Sequence, residues 1–487
     1  MDDRQGAEDA NKNSCISFSV LGVLGALAVR SLLFTCALCA CGDDSSDPHK
    51  GEAPDPPDAS AGAGTGGAAG RGGSGGRSGS GGSTRAGTGG SAGRDAAGRD
   101  GGGAIDSGNA GDDGGAVNTP DAGPFTKNPR LSELADNTAI DLGRFSCTQV
   151  PGEEPADCRL ATDYSGFVYD PHHHAMLSFG GGHATTMTDS VHVLDLGGTL
   201  TWTDAYAPTP CASMNVGNLD ANTGAWLSGT SGPYPRPVST HTYDMLAVAP
   251  ELDEFIVIAR TFTGGRCNPV GNDIGGKVAH FDRIKGTWSF SPTANGSTGD
   301  LATNLPGSEP DPISGKIVLF GVGGLSLYDP ATRIYTHVAD TLPDSGGDPT
   351  QVTGTGYANH LVYFPPDDTF YYFARNQPVD VYALRFDRDA PGQSSVERLD
   401  TSGPTTTHGE PGYDYDAVNK VIGGGVQDST FFAFDPATRS WSAHAMKGGD
   451  PGNQAFHALA YDPVDNVFVF VSDYDSGQKT WAYRLAQ

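Results

Sequence analysis

The chain has 487 residues and a formal net charge of −28 at pH 7, from 30 Lys and Arg against 58 Asp and Glu. Nucleic acids and anionic membrane surfaces are bound through clustered basic side chains, and this chain has no basic run beyond scattered arginines. The charge therefore argues against both as partners and favours neutral or cationic ones. All five tryptophans lie after residue 125, so the packed core must lie there too.

Residues 1 to 40 are interpreted as an export signal. One positive charge, Arg30, precedes a short apolar run and then small residues, which is the order found in signal peptides. The end of this segment, Leu38-Cys39-Ala40-Cys41, resembles the bacterial lipobox, and an abruptly polar stretch follows it. The resemblance implies a lipidated Cys41 and a lipoprotein attached to a membrane through that lipid anchor only. We expect it in the cell envelope, anchored to the outer membrane, at the cell surface or on the periplasmic face.

The first 28 residues fit a signal peptide poorly. Several acidic residues precede a second apolar run, Ile16 to Val29, whereas the start of a signal peptide is normally basic. We therefore expect translation to begin at Val29. The alternatives are a longer signal, or a membrane-spanning anchor over Ile16 to Ala40 that tolerates Arg30.

Residues 41 to 125 are predicted to form a disordered tether. Residues 42 to 125 hold 27 of the chain's 70 glycines, and there is no Phe, Tyr or Trp between Cys41 and Pro124. Such a segment cannot bury enough apolar surface to offset the entropy cost of ordering it. Its root-mean-square reach is roughly 50 Å, so the following domain can stand clear of the lipid headgroups.

Four of the eight cysteines remain after processing and lipidation, namely Cys147, Cys158, Cys211 and Cys267. An even number outside the cytoplasm suggests two disulfides. Cys147 and Cys158 would close a local loop, and Cys211 would pair with Cys267. No Cys-x-x-Cys pair survives processing, which argues against a redox or zinc site made of cysteines.

From residue 165 onward, one phrase recurs six times. It consists of a segment ending in Tyr-Asp-Pro or a variant, a turn, an apolar run ending in glycines, a second apolar run with Asp, and then Trp. Repeats with a period of roughly 50 residues are typical of propellers. Residues 126 to 487 are therefore predicted to form an all-β propeller of six four-stranded blades, or seven if residues 205 to 236 hold a degenerate unit.

The sixth repeat ends one strand short. Propellers commonly close by borrowing the missing strand from the other end of the domain, which protects the exposed sheet edge. We assign that strand to the segment from Asn137 to Phe145.

The order of Tyr-Asp turn, apolar-Gly-Gly, Val-x-x-x-Asp-x and Thr-Trp resembles the kelch repeat and the galactose-oxidase-like propellers. The resemblance is strongest in the first and fifth units. Copper radical oxidases of the galactose oxidase type need adjacent Tyr and His residues and a Cys free to crosslink to a tyrosine. The chain has no Tyr-His dipeptide, so that activity is not expected.

In a propeller with this strand order, the links entering each innermost strand and the loops between second and third strands open on one face, where ligands commonly bind. These segments supply the candidate site residues. The candidates for catalysis are His241, His408, Glu410 and His457. The candidates for binding are His183, Arg266, His360, Arg375, Tyr206, Trp226 and Tyr234.

His241 and His457 are also the candidate ligands of a metal ion, because neutral imidazoles bind metals and act as acid-base groups. No cofactor is firmly indicated. The alternative is that each histidine only hydrogen-bonds backbone at the start of a strand. The run His172-His173-His174 falls in a turn on the opposite face and is interpreted as surface histidines.

The leading hypothesis for function is a membrane-anchored, exported, monomeric module that binds a glycan or a protein without catalysis. Tyr206, Trp226 and Tyr234, in the longest loop of the face, are expected to stack on sugar rings. The alternative is a carbohydrate-active enzyme, whether hydrolase, lyase or metal-dependent oxidase, that uses the His-rich face. Phosphate-binding loops and the His-Glu-x-x-His zinc motif are absent.

Overall fold

The computed structural model describes ten parts of the chain: residues 125–153, 164–181, 188–258, 277–292, 306–344, 349–350, 352, 359–374, 378–473 and 475–486. The predicted signal, the lipidated Cys41 and the tether lie outside these residues. Within them, no helix has both the length and the hydrophobicity needed to cross a membrane.

The described region opens with one helical turn and a strand. The turn is α1 (Pro129–Ser132), and the strand is β1 (Thr138–Arg144). The Asn128 side chain caps the turn by accepting a 3.1 Å hydrogen bond from the backbone N–H of Arg130. Pro129 occupies the first helical position, where its missing N–H has no consequence.

Strands dominate the rest, and all-β is the observed class. In the part of the chain that is described, six antiparallel sheets have four strands each, and we number them in chain order. Sheet 1 contains β2 (Val168–Asp170), β3 (Ala175–Phe179), β4 (Val191–Asp195) and β5 (Trp202–Asp204). A small three-stranded sheet follows, with β6 (Leu219–Asp220), β7 (Ala225–Trp226) and β8 (Arg236–Pro237).

The next two sheets have the same order of strands. Sheet 2 contains β9 (Leu246–Ala249), β10 (Glu254–Val257), β11 (Ala279–Asp282) and β12 (Thr287–Phe290). Sheet 3 contains β13 (Gly307–Pro310), β14 (Ile317–Gly321), β15 (Gly324–Asp329) and β16 (Ile334–Ala339). A short pair after sheet 3 is made of β17 (Leu342–Pro343) and β18 (Pro349–Thr350).

The last three sheets complete the series. Sheet 4 contains β19 (His360–Phe364), β20 (Thr369–Ala374), β21 (Asp380–Arg385) and β22 (Ser395–Arg398). Sheet 5 contains β23 (Tyr413–Asp416), β24 (Val421–Gln427), β25 (Thr430–Asp435) and β26 (Ser440–Ala445). Sheet 6 contains β27 (Gln454–Asp462), β28 (Val467–Ser472), β29 (Lys479–Arg484) and β1. Single 3₁₀ turns lie at Cys211–Ser213, Val216–Asn218, Pro250–Leu252, Pro365–Asp367 and Pro391–Gln393.

The fourth strand of sheet 6 comes from the start of the domain. Strand β1 pairs antiparallel with β29, with Thr138 opposite Arg484 and Arg144 opposite Lys479. The prediction that the segment around 137 to 145 supplies the missing strand is therefore confirmed. The pairing covers an edge of sheet 6 that would otherwise present unpaired N–H and C=O groups.

The innermost strands contact one another from sheet to sheet. Strand β2 contacts β9, and the contacts continue from β9 to β13, β13 to β19, β19 to β23 and β23 to β27. Strand β27 also contacts β2. The arrangement of the six sheets is consistent with a β-propeller.

Large aromatic side chains fill the space between neighbouring sheets. Trp441 of sheet 5 packs against Phe373 of sheet 4 with ring centroids 5.8 Å apart, and Trp288 of sheet 2 packs against Phe179 of sheet 1 at 5.3 Å. The glycines that end the second strands allow close backbone approach. A Cβ on Gly180 (φ +84°) would lie 2.0 Å from the carbonyl oxygen of Thr240.

The aspartate of the recurrent Tyr-Asp-Pro phrase has a structural role in the turn after the innermost strand. Asp170, Asp416 and Asp462 are almost completely buried. A carboxylate oxygen of each accepts a hydrogen bond from the backbone N–H two residues later, at 2.9 to 3.1 Å. This is an Asx turn, and it explains why the phrase requires Asp at that position.

Candidate functional site

A cavity of about 520 Å³ lies among the innermost strands. All six sheets contribute to its wall, since Val168, Leu246, Ser308, His360, Asp414 and Leu459 line it. Prolines from the turns that follow five of the innermost strands also line it, namely Pro171, Pro250, Pro312, Pro365 and Pro463. The cavity therefore runs toward the face that carries the Tyr-Asp-Pro turns. That face is opposite the one on which the sequence placed the site.

Asp244 lies at the other end of the cavity, in the link before β9. One carboxylate oxygen, Oδ2, accepts hydrogen bonds from the backbone N–H groups of Ser308 (3.1 Å) and Leu361 (3.0 Å). These two donors belong to sheets 3 and 4, so one side chain bridges three sheets. They also fix the direction of the second oxygen, Oδ1, which lies 2.7 Å from Nδ1 of His360.

His360 and His457 lie beside this carboxylate. Their rings are stacked, with centroids 5.9 Å apart and planes 16° from parallel. Asp244, His360 and His457 each place one potential ligand atom within 4.8 Å of the other two, and we call them the inner-strand cluster. Burial lowers the pKa of His360, but the negative charges of Asp244 and Asp414 outweigh burial and leave its pKa raised.

Two further carboxyl groups face the cavity from β13 and β23. Glu309 accepts a 3.4 Å hydrogen bond from the backbone N–H of Tyr363, and Asp414 accepts one of 2.6 Å from Tyr461. Burial raises the pKa of Asp414 to about 6, with a smaller contribution from Asp244. Burial, together with the charges of Asp414 and Asp244, raises the pKa of Glu309 well above its usual range. The cavity therefore concentrates acidic groups that are costly to ionise together.

Aromatic residues with an unusual backbone surround the inner-strand cluster. Tyr164, Tyr243 and Phe456 have φ angles of +54°, +48° and +33°, in the left-handed region that bulky side chains rarely adopt. The rings of Tyr164 and Phe456 are half-buried, with centroids 4.3 Å apart. Non-glycine residues in this region are concentrated at functional sites because the surrounding structure must hold them there.

The predicted catalytic candidates occupy two places. His457 belongs to the inner-strand cluster, whereas His241 stacks on Tyr164 with centroids 4.7 Å apart and has its Nδ1 atom 3.2 Å from the hydroxyl of Tyr243. His241 is not one of the three clustered ligands. His408 and Glu410 lie in the link before β23, where the backbone N–H of Glu410 donates to Nδ1 of His408 at 3.3 Å. Of the predicted metal pair, only His457 is a member of the cluster.

The predicted binding candidates divide in the same way. His360 lines the cavity and belongs to the cluster. His183, Arg266 and Arg375 lie outside the described residues. The aromatic candidates need a correction, because Tyr206 is only 9% exposed and Trp226 is fully buried. Neither ring presents a free face for stacking on a sugar.

The three aromatic candidates instead stabilise the segment around the small three-stranded sheet. Trp226 packs with Met214 and Val238. The guanidinium of the buried Arg236 lies 4.9 Å from the ring centre of Tyr206 and 4.3 Å from that of Tyr234. Nε of Arg236 is also 3.2 Å from Oδ2 of Asp189. The two aromatic rings pack on the buried guanidinium as cation–π partners. Their position in a long loop does not reveal this structural role.

A second group of histidine and aspartate lies where sheet 6 meets sheet 1, and we call His174, Asp462 and Asp465 the junction cluster. Nε2 of His174 lies 3.2 and 3.1 Å from the two carboxylate oxygens of Asp462. His174 is only 1% exposed, so the interpretation of this histidine as a surface residue was wrong. His172 and His173 are exposed, as expected.

The predicted disulfides involve described and undescribed residues. Cys147 and Cys211 are described, and neither is a free residue. Cys158 and Cys267 lie outside the described residues, so both pairings stay predictions.

Sequence reasoning missed Asp244, Glu309, Asp414, Tyr164 and Phe456. Asp244 and Asp414 each follow a tyrosine at an innermost strand, and this repeated Tyr-Asp pair was a usable signal. Glu309 lies two residues before the turn aspartate of the third repeat, as Asp414 does in the fifth, so the two acids occupy equivalent positions. For Tyr164 and Phe456, the informative feature is the backbone angle, which composition does not encode.

Comparison with known proteins gives no family assignment. No family model and no curated protein matches the chain. Among solved structures, it is similar to a Bacteroides thetaiotaomicron protein of unknown function, with a TM-score of 0.41 and 11% identity over 71% of this chain and 76% of that one. It is also similar to a gluconolactonase from Xanthomonas campestris, with a TM-score of 0.39 and 13% identity over 74% of this chain and 94% of that one. At these similarities, no activity transfers from either protein.

Proposed function

We propose that the chain is an exported lipoprotein whose six sheets are the blades of one closed, kelch-like propeller, and that it binds a small neutral glycan in its central cavity. The cyclic order of contacts among the innermost strands, with β27 returning to β2, supports closure. The pairing of β1 with β29 supports it from the outer edge of sheet 6. Residues 205 to 236, with their small sheet, are then an insertion between the first and second blades.

The cavity itself carries the proposal for binding. Its volume of about 520 Å³ is in the range of small-molecule sites, and it is concave where protein interfaces are usually flatter. Apolar residues such as Leu246 and Val248 line it beside Glu309, His360 and Asp414. An apolar wall with a few convergent polar groups is the usual composition of a ligand site.

The polar groups favour a hydroxyl-rich, uncharged ligand. Carboxylates accept hydrogen bonds strongly, and sugar hydroxyls are donors that several carboxylates can share. An anionic ligand would face the carboxylate of Asp244 and, above about pH 6, that of Asp414. The proline side chains at the turn end of the cavity offer apolar contact to the C–H faces of a sugar ring.

The proposed lipid anchor and tether would determine where in the cell this domain is located. A lipid on Cys41 and a flexible segment of residues 42 to 125 would hold a monomeric domain at the envelope with freedom to sample its surroundings. Replacing Cys41 with Ser should release the protein from the membrane fraction, as measured by cell fractionation and by mass spectrometry for the lipid. An unchanged membrane fraction in that variant would instead favour a spanning anchor.

Calorimetric titration of the full-length protein with neutral mono- and disaccharides tests the binding proposal. We expect at least one sugar to bind, and Glu309→Gln to weaken binding about 3- to 10-fold, the effect of replacing a carboxyl group that hydrogen-bonds the ligand. Glu397→Gln, on the outermost strand of sheet 4, is the matched control and should leave binding unchanged. Equal binding by both variants, or no sugar bound at millimolar concentration, contradicts the proposal. If the ligand is instead a protein and Glu309→Gln leaves its binding unchanged, the binding site would lie in the surface loops.

One observation favours a second candidate, a carbohydrate-active hydrolase or lyase. Asp414 has a pKa of about 6 and burial raises the pKa of Glu309 well above its usual range, so the cavity holds one carboxyl group that titrates near pH 6 and another whose protonated form is favoured. Such groups can act as general acids. Turnover of a chromogenic glycoside panel, abolished by Asp414→Asn but not by Glu397→Gln, would establish catalysis. Sugar binding without turnover would restrict the role to binding.

A further inference from the structure

The three members of the inner-strand cluster come from alternate sheets. Asp244 precedes the innermost strand of sheet 2, His360 begins that of sheet 4, and His457 lies in that of sheet 6. Side chains from alternate members of a six-membered ring point at its centre from three directions. Their potential ligand atoms lie within 4.8 Å of one another, which matches the convergence.

The carboxylate of Asp244 is fixed before any ion binds. Its Oδ2 atom is held by the backbone N–H groups of Ser308 and Leu361, and the Ser308 hydroxyl donates to the backbone carbonyl of Asp244. These contacts leave Oδ1 as the atom that faces His360. Such support of a ligand by surrounding groups is what orients the ligands of protein metal sites.

The contact between His360 and Asp244 differs from an ordinary hydrogen-bonded ion pair. Nδ1 is 2.7 Å from Oδ1 of Asp244, yet the contact is not aligned as a hydrogen bond, and this buried nitrogen has no hydrogen-bond partner among the described residues. His360 is 9% exposed, Asp244 is 9% exposed and His457 is 1% exposed. A buried nitrogen and a carboxylate oxygen that are close but misaligned can both be satisfied by one cation between them.

We infer that Asp244, His360 and His457 bind one divalent transition-metal ion, such as Zn²⁺, at the inner end of the cavity. Two imidazoles and one carboxylate are a set that such ions prefer, and sites with three protein ligands leave a position open for water or a ligand. Zn²⁺ lies about 2.0–2.2 Å from its N and O ligands. Asp244 and His360 both line the cavity, so the open position would face it.

The junction cluster shows the same residue types in a different arrangement. There, Nε2 of His174 is aligned with both oxygens of Asp462, and the carboxylate of Asp465 accepts from the backbone N–H of Asn128 at 3.0 and 3.2 Å. The atoms facing one another are already hydrogen-bonded, and neither carboxylate lines the cavity. His174 is therefore the matched control, because its Nε2 atom, which faces the carboxylates, is already hydrogen-bonded and we expect no metal ion there.

The test uses the untagged full-length protein, dialysed against chelator and titrated with Zn²⁺, with bound metal measured by plasma mass spectrometry. We expect one ion per chain, and a loss of at least tenfold in affinity for His360→Gln and for His457→Gln. His174→Gln should keep full affinity, and so should the double variant His172→Gln, His173→Gln, which removes the exposed histidines.

Two outcomes would overturn the inference: substoichiometric metal in the wild-type protein at saturating Zn²⁺, or equal loss of metal in the His174→Gln and His360→Gln variants. If the cluster variants fail to fold, Co²⁺ bound to the wild-type protein gives the answer, since X-ray absorption distinguishes two imidazole ligands from oxygen ligands alone. The readout is metal content, so it does not depend on whether a glycan binds.

Discussion

The junction cluster and the inner-strand cluster combine the same side chains, and their roles differ because of where the atoms point. In the junction cluster, His174 donates to a carboxylate that also closes an Asx turn and does not line the cavity. In the inner-strand cluster, Asp244 and His360 lie on the cavity wall and are close without being aligned. Residue type alone therefore does not distinguish a structural contact from a ligand site. The distinction lies in whether the polar atoms satisfy one another.

The largest effect is expected from removing the junction carboxylate. Asp462→Ala leaves buried His174 and the backbone N–H of Val464 without their acceptor, and breaking such a buried pair costs about 3–5 kcal/mol. The measurement is the free energy of unfolding in urea at pH 7. Asp435→Ala is the matched control, since Asp435 closes a similar turn through Ala437 but is partly exposed. A loss below 1 kcal/mol for Asp462→Ala would show that the junction is not a stabilising contact.

A smaller loss of stability is expected at the junction of sheets 3 and 4, where the cation is an arginine and not a histidine. Arg388 of sheet 4 pairs with Asp311 of sheet 3, which is fully buried, and with Asp368. Arg388→Ala should lower the free energy of unfolding by about 3 kcal/mol. Because arginine does not titrate, the loss should be equal at pH 6 and pH 8. A loss that changes between these pH values would mean that another group carries the pairing.

Removing the carboxylate of Asp414 from the cavity should raise the free energy of unfolding, whereas the substitutions above lower it. The pKa of Asp414 is about 6 in the fold, against an ordinary value near 4, so the folded chain binds more protons than the unfolded chain between pH 4 and 6. Stability from this group therefore falls as pH rises through that window. Asp414→Asn should increase the free energy of unfolding at pH 8 by about 2 kcal/mol and flatten the pH dependence. Urea unfolding at pH 5 and pH 8 measures both, and a less stable variant at pH 8 contradicts the assignment.

The smallest effect is expected at an exposed contact between sheets. Arg439 of sheet 5 pairs with Glu397 of sheet 4 at 2.8 Å, and the two side chains are 46% and 33% exposed. Arg439→Ala should change the free energy of unfolding by less than about 0.5 kcal/mol. This variant sets the baseline against which the buried junctions are judged. A change above 1 kcal/mol would show that exposure does not weaken these pairs.

The sequence predicted the strands well because their signal is local. The most complete repeats have an Asp that closes a turn, glycines that permit close approach and a tryptophan that fills the gap between sheets. The first and fifth units, which keep these features, match the observed strands closely. The strand that completes sheet 6 was predictable because an unpaired edge demands a partner.

The site was harder to predict because its members come from distant parts of the chain. Asp244, His360 and His457 are brought together only by the arrangement of the sheets. Tyr206 and Trp226 were misassigned because their loop position gives no sign of their buried partners, which are Arg236 for Tyr206 and Met214 and Val238 for Trp226. The position of the cavity was misjudged as well, since the sequence emphasised the histidine-bearing links and the cavity wall extends to the proline turns.

The pairing of β1 with β29 also has a consequence for biosynthesis. Asp141 contacts Lys479 across 338 positions of sequence, so the strand made first finds its partner only when nearly all of the chain has been made. Sheet 6 cannot be completed on a partly synthesised chain. A nascent polypeptide of this kind leaves sheet 6 incomplete until its C-terminal segment emerges, which would be compatible with the proposed export of an unfolded chain.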